Sequence, residues 1–314
     1  MSLFGDAARS VPRELAAYLD EPPQLATGSP GKNGYLRLGF ERRGAKTVLA
    51  DLDRRAPLLV QQALYWDEAM PGLPCVYMIS NAGGVLQGDR NRVEIRLGPD
   101  AQAHVTTQSA TKIHEMDHNH AVQDQQIVLG EGSYLEYLPE ATIPHRHSRY
   151  LTRTSIEIAP SATLLYAEIL AAGRKHYRDG EIFAYDVFSS LVTAARPGSE
   201  PVADRELFTE KFVIEPARQP LAVAGTMGPY HVFGNVLLLT PPEQAAAVAA
   251  RLPAGRDDSR ACIAAASRLP NEAGLVYKVL GMETQPVRAM VRRFWEVARP
   301  IVTGCEVPPE FAWR

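Results

Sequence analysis

From Gly34 to Leu191 the chain breaks into short runs of alternating apolar and polar residues, each closed by glycine, proline, aspartate or asparagine. The runs are Tyr35–Phe40, Thr47–Leu52, Cys75–Ile79, Arg92–Leu97, Ala103–Thr107, Gln125–Leu129, Tyr134–Leu138, Leu151–Ile158, Ala162–Leu170 and Ile182–Leu191. Between them lie breakers such as Gly83-Gly84, Gly88-Asp89, Gly98-Pro99-Asp100 and Gly130-Glu131-Gly132. Runs of this length with period-two alternation read as strands. Many of them in succession require a β-rich core: a sandwich, a barrel or a β-helix. Between Ala101 and Ser161 the strand–turn spacing has a coil-like regularity, but no strict repeat unit stands out. The fold expected is mainly β, β-helix-like or built of stacked antiparallel strands, with a few helices toward the C-terminus.

The helices come late. Pro241–Leu252 has proline at its start and alanine through its body. Thr284–Ile301 carries a helical stripe of Val287, Met290, Val291, Phe294, Trp295 and Ala298, with Thr284 placed to cap it. Strands at 260–266 and 275–280 sit between them, so 241–301 is expected to form a small α+β part of one domain spanning 34–314. Residues 1–33, rich in turn formers such as Pro22, Pro23, Gly28 and Pro30, read as a mobile N-terminal tail, with a short helix near Pro12–Leu19.

Composition narrows the function classes. At 314 residues and 46% hydrophobic the chain can bury a sizeable core. Its net charge of -3, without a basic stripe, argues against nucleic acid as a partner. No stretch approaches the about 20 apolar residues of a membrane span, which leaves no membrane role. Three scattered cysteines, Cys75, Cys262 and Cys305, form neither a disulfide framework nor a CxxC pair, and the N-terminus lacks a secretion signal. A cytoplasmic protein is expected.

Several motifs bear on chemistry. Asn81-Ala-Gly-Gly-Val-Leu-Gln-Gly-Asp89 has glycines, but no Gly-Lys-Ser/Thr follows, so a tight turn is the better reading than a phosphate cradle. Glu136 and Glu140 have no fixed separation, and no GxSxG elbow is present. The histidines carry more. His114, His118 and His120 fall close together with Glu115 and Asp117, and His145 and His147 follow at a Pro144 turn. Imidazole with carboxylate suits nickel, zinc or copper, and on one extended strand His118 and His120 share a face. A polar loop without a metal role is the alternative, since no HExxH or cysteine pair is present. The residues alone reach a binding or scaffold protein with no catalytic constellation.

The order of motifs then adds a resemblance. Pro57-Leu-Leu-Val-Gln61 with Tyr65, Asn81–Asp89, Thr106-Thr-Gln-Ser-Ala-Thr-Lys112, Leu135-Glu-Tyr-Leu-Pro139 with Ile143-Pro144, Glu168, Gly173-Arg174 and Gly180–Phe183 run in series, and Leu280-Gly281 with Phe294-Trp295 follows. This series resembles the urease accessory protein UreD (UreH) family over roughly 34–299. A departure is His114, where the family usually carries an aromatic residue. The resemblance implies a non-enzymatic scaffold that binds UreF, through it the GTPase UreG, and apo-urease, and that serves nickel insertion. It implies no tightly bound cofactor, only transient nickel(II), and a homodimer within the complex. A scaffold for a different metalloenzyme with the same fold is the alternative. The metal candidates are His114, His118, His120, His145 and His147; the partner-binding residues are left open.

Overall fold

The structure, a computed structural model, describes residues 11–198, 205–253, 257–259 and 262–309. The first ten residues of the expected tail, and the first two of the expected strand at 260–266, lie outside the described residues. In chain order the first strands are β1 (Tyr35–Arg43), β2 (Lys46–Arg55), β3 (Leu58–Leu59), β4 (Cys75–Ser80), β5 (Arg90–Leu97) and β6 (Gln102–Thr107). The middle of the chain forms β7 (Thr111–Ile113), β8 (Ala121–Leu129), β9 (Tyr134–Tyr137), β10 (Thr142–Pro144), β11 (Arg149–Ile158), β12 (Thr163–Ala171) and β13 (Val187–Arg196). There follow β14 (Arg205–Ile214), β15 (Val232–Leu239), helix α1 (Pro242–Ala249), β16 (Asp257–Ser259), β17 (Cys262–Arg268), β18 (Gly274–Gly281) and helix α2 (Thr284–Thr303).

The strands form two sheets. One has seven strands in the order β14-β13-β11-β8-β5-β1-β2; the other has eleven, along the path β16-β17-β18-β15-β12-β9-β6-β4-β3 with β10 and β7 attached. In the middle of the chain the path goes back and forth between the sheets: β5, β8 and β11 pair in parallel in the first, and β6, β9 and β12 in the second, with the short β7 and β10 beside the latter. This is the β-helix-like form of the expectation. Antiparallel pairing holds at the flanks, where β2, β14, β15, β17 and β18 close the sheets. Val93, Gln125 and Thr154 stand on one rung, and Ala103, Leu135 and Leu164 on another, at unequal sequence spacing.

Alternation decides which side chains go where, because successive strand residues point to opposite faces. Val93, Ile95 and Leu97 meet Ile127, Leu129, Ile156 and Ile158 on the inner face of the first sheet, against Leu135, Leu164, Leu237 and Leu239 of the second. The other face of the second sheet carries Leu165, Ala167, Val236, Leu238 and Val279, and α2 buries its apolar stripe there through Val287, Met290, Val291, Phe294, Trp295 and Ala298. The molecule is therefore three layers deep. Gly234 permits the close seat of α2: a Cβ there would lie 2.9 Å from Val287 Cγ1.

Three local expectations change. Thr284 is the first residue of α2 and does not cap it; the N-cap is Glu283, which makes no side-chain capping bond. The run Ile182–Leu191 starts as a strand only at Val187, because Phe183 takes positive φ and the segment before it turns around Gly180. The N-terminal segment has only a 3-10 turn, Arg13–Leu15, yet it lies against the protein. Leu15 is fully buried with Val122, Leu151 and Val187, and Glu14 accepts a hydrogen bond from Ser189 and pairs with Lys211.

Candidate functional site

The inner faces are not apolar along their whole length. On the first sheet the rungs Ile95–Ile127–Ile156–Ala194 and Leu97–Leu129–Ile158 are apolar. Two rungs further along, the same inward positions are Asn91–Gln123–Thr152–Ser190, with Gln125 and Thr154 between. On the second sheet Leu164 and Tyr166 point inward, so Glu168, two residues on, shares their face. One end of the sandwich is thus polar inside, and it encloses a cavity of about 250 Å³ lined by Gln123, Gln125, Tyr137, Thr152, Tyr166 and Glu168 among others.

The polar groups are joined. Tyr166 Oη donates to Glu168 Oε1 at 2.8 Å, and Ser190 Oγ donates to the same oxygen at 3.4 Å. Thr154 Oγ1 lies 3.2 Å from Tyr166 Oη, Gln125 Nε2 donates to Thr154 Oγ1 at 3.0 Å, and Tyr137 Oη donates to Gln125. Glu168 Oε2 has no hydrogen-bond partner. Burial raises the Glu168 carboxyl to about 7, against the hydrogen bond from Tyr166 and with the help of the Glu210 charge. Glu168 is therefore poised between acid and carboxylate at neutral pH. Toward solvent the lining continues through Thr107, Gln108, Ser109 and Lys112 to Glu140, whose carboxylate pairs with Arg288 of α2 at 2.9 Å.

A second polar cluster lies on the opposite face of the same sheet. His104 and Glu136 alternate with the inward Ala103, Val105, Leu135 and Tyr137, so they face α2. Glu136 is fully buried. It accepts from Tyr134 Oη at 2.6 Å and Trp295 Nε1 at 2.7 Å, and its Oε2 lies 2.8 Å from His104 Nδ1. Arg299, also fully buried, pairs with Asp67 and lies 3.7 Å from Glu136. Burial would raise the Glu136 carboxyl, but His104, Arg299 and Tyr134 together bring it below the usual range. This cluster fastens α2 to the sheet and to the loop of Asp67.

The five histidines read from the sequence occupy three places. His114 and His145 meet edge to face, with ring centres 4.9 Å apart, beside the Gly84–Val85 wall of the cavity. His118 and His120 do not lie on one extended strand, because Asn119 between them takes positive φ. His118 lies 3.9 Å from Asp20. His120 Nδ1 sits 2.9 Å from the Tyr18 carbonyl and its Nε2 lies 3.5 Å from Arg90, so both ring nitrogens are engaged. His147 pairs with Asp186 at 3.1 Å on the surface. Among the described residues no group of three or more His, Cys, Asp or Glu side chains is arranged to hold a metal ion.

His145 supplies a pH test. Burial, with Arg174 beside it, lowers its pKa from 6.5 to about 4. Between those values the unfolded chain takes up a proton that the folded chain refuses, so stability falls as pH drops through this window and levels below it. A tenfold change in proton affinity is worth about 1.4 kcal/mol, so His145→Phe is expected to remove about 2 kcal/mol of the loss between about pH 7 and pH 4.5. Urea denaturation of both proteins at the two pH values checks this; an identical pH dependence refutes it.

Sequence reasoning alone misses Glu168 and Tyr166 as site residues. The available signal is the alternation itself: Leu164, Tyr166 and Glu168 share one face, and that face turns polar only at Glu168.

Comparison with known sequences shows the family to which the chain belongs. The family model described as "UreD urease accessory protein" matches residues 32–314. Urease accessory protein UreD 2 of Brucella suis is 58% identical over 301 residues, covering 96% of this chain and 98% of that protein. Urease accessory protein UreD of Photorhabdus laumondii is 50% identical over 96% of this chain and 92% of its own length. That of Yersinia pseudotuberculosis is 48% identical over the same shares. The chain belongs to the UreD family of urease accessory proteins.

Proposed function

We propose that this protein serves urease maturation as a scaffold and not as a catalyst. It binds a UreF-like accessory protein, through it a UreG-like GTPase, and the urease apoprotein, with a second copy of the chain in the same cytoplasmic assembly. Nickel(II) is its cargo and travels through the cavity between the sheets. No helix among the described residues is long and apolar enough to cross a membrane.

The observation that carries this reading is the polar half of the interior, with Glu168 as its buried carboxylate. A sandwich that needed only stability would fill those rungs with apolar side chains, since buried polar groups are costly unless fully bonded. Oxygen ligands in small number suit a divalent cation that must be passed on, because tight multidentate sites trap an ion and weak successive ones release it. The hydroxyls and amides of Tyr166, Thr154, Gln125 and Tyr137 supply neutral contacts around one carboxylate. His114 and His145, beside the cavity wall, are the imidazole contacts in this proposal; His118, His120 and His147 have protein partners of their own.

The test is removal of the gene from a urease-producing bacterium grown with limiting nickel. Urease subunits are expected at normal levels but nickel-poor and inactive, with activity restored by the gene in trans. Purified wild-type chain is expected to retain a UreF-like partner and apo-urease on a column. Fully metallated urease in the deletion strain would refute the assignment. Capture of another apo-metalloenzyme in place of urease would favour a different client.

A further inference from the structure

The rung that holds Glu168 does not end at the cavity. Glu168, Asn235 and Lys278 stand side by side on β12, β15 and β18. They share the inward face, because Leu237 and Leu239 on β15 and Val276 on β18 also point inward. Across from them, on the edge strand β14 of the other sheet, Glu210 bridges the last two. Asn235 Nδ2 donates to Glu210 Oε2 at 2.8 Å, and the Lys278 ammonium pairs with Glu210 Oε1. The same ammonium lies 5.6 Å from the centre of the Phe233 ring, which lines the cavity and packs edge to face on Phe212.

Two oxygens in this row have no well-formed hydrogen bond, although the Asn235 side chain stands within bonding reach of the Glu168 carboxyl. Asn235 is fully buried and its Oδ1 has no such bond; nor has Glu168 Oε2. Buried acceptors without partners are rare and call for an explanation. Lys278, in contrast, is 45% exposed, so the row Glu168–Asn235–Glu210–Lys278 leads from the cavity to solvent. All its acceptors are oxygens, and its outermost carboxylate is neutralised by a side chain on a flexible stem that can swing away.

We propose that the Glu210–Lys278 ion pair plugs a second way into the cavity, with the lysine ammonium standing where a divalent cation stands between solvent and Glu168. The proposal rests on the cavity reading above and deepens it. While the ammonium is in place it satisfies Glu210 and repels an incoming cation at close range. Once displaced, for example by a carboxylate on a docking protein, it leaves Glu210, Asn235 Oδ1 and Glu168 Oε2 as successive oxygen contacts.

The experiment measures nickel(II) binding to the purified full chain by equilibrium dialysis at about pH 7.5 and low ionic strength. Lys278→Met is expected to bind nickel at least about 10-fold more tightly than wild type. Lys278→Arg, which keeps the charge, is expected to behave as wild type. Adding Glu210→Gln to Lys278→Met is expected to cancel the gain. Thermal melts of each variant establish folding. Wild-type affinity in Lys278→Met, or a gain that persists without Glu210, overturns the plug. Glu168→Gln separates the two readings: if it weakens nickel binding in the wild-type background while Lys278→Met changes nothing, the cavity reading stands and the plug falls. If it is silent in both backgrounds, the cavity reading falls and takes the plug with it.

Discussion

Arg299→Ala is expected to destabilise the protein by about 3–5 kcal/mol, the range for removing one partner from a buried ion pair. Arg299 is the cation that faces both Asp67 and Glu136, all three sealed from solvent beneath α2. Its removal leaves two buried carboxylates with less compensation and a void where a long side chain stood. His104, Tyr134 and Trp295 still serve Glu136, so the damage should concentrate on Asp67 and on the seat of α2. The check is the urea midpoint of the variant, with near-ultraviolet dichroism of Trp295. Adding Asp67→Asn and Glu136→Gln to Arg299→Met should recover part of the loss, because the uncompensated charges are then gone. A change under about 1 kcal/mol in Arg299→Ala would show that the cluster does not hold the helix.

The second large effect falls on function and runs opposite to stability. Glu168→Gln is expected to lower urease activation about 10-fold or more, by removing the buried carboxylate at the centre of the polar network. The same change is expected to raise stability at about pH 8. The Glu168 carboxyl goes from 4.5 to about 7 on folding, with burial as the main cause. The folded chain therefore holds a proton that the unfolded chain has lost, and stability declines as pH rises from about 4.5 through 7. Glutamine carries no such proton and still offers a carbonyl oxygen to Tyr166 and Ser190. At about pH 8 the variant should gain roughly 1–3 kcal/mol over wild type, while their difference shrinks toward about pH 5. Activation is measured by reconstitution with the accessory partners and apo-urease, and stability by urea denaturation. Loss of both together would mean that Glu168 supports the fold and not the cargo. Such a conflict between stability and activity is common where a buried site is kept for function.

Much of the architecture was legible because period-two alternation is a local property. Tyr134–Leu138, Leu151–Ile158 and Ala162–Leu170 all appear as strands, and the stripe of α2 is buried as its spacing required. The way the strands hop between two sheets was not legible. Rungs such as Val93–Gln125–Thr154 are unequally spaced along the chain, so no repeat marks them. The interior site was hidden for a related reason. Gln125, Thr154 and Glu168 look like outward-facing residues until the face they share with Ile127, Ile156 and Tyr166 is counted. Arg299 was equally opaque: its partners Asp67 and Glu136 lie far off in sequence, and only the tertiary fold brings them together. The five histidines lie close in sequence, but proximity in sequence is not convergence in space, and only His114 and His145 meet. One positive φ at Asn119 sends His118 and His120 to separate partners.

The closure of the second sheet sets an order on synthesis. β12 is completed by β15, β15 by β18, and the back of that sheet by α2, so each layer waits for chain that leaves the ribosome later. A nascent chain that has made β4 to β12 carries Glu136 and Asp67 without Arg299, and a bare strand edge open to other chains. Chains in that condition are prone to association. The last turns of α2 deliver Arg299 and the indole of Trp295 together, so Asp67 and Glu136 gain their cation only after every strand of the sheet beneath them has been made.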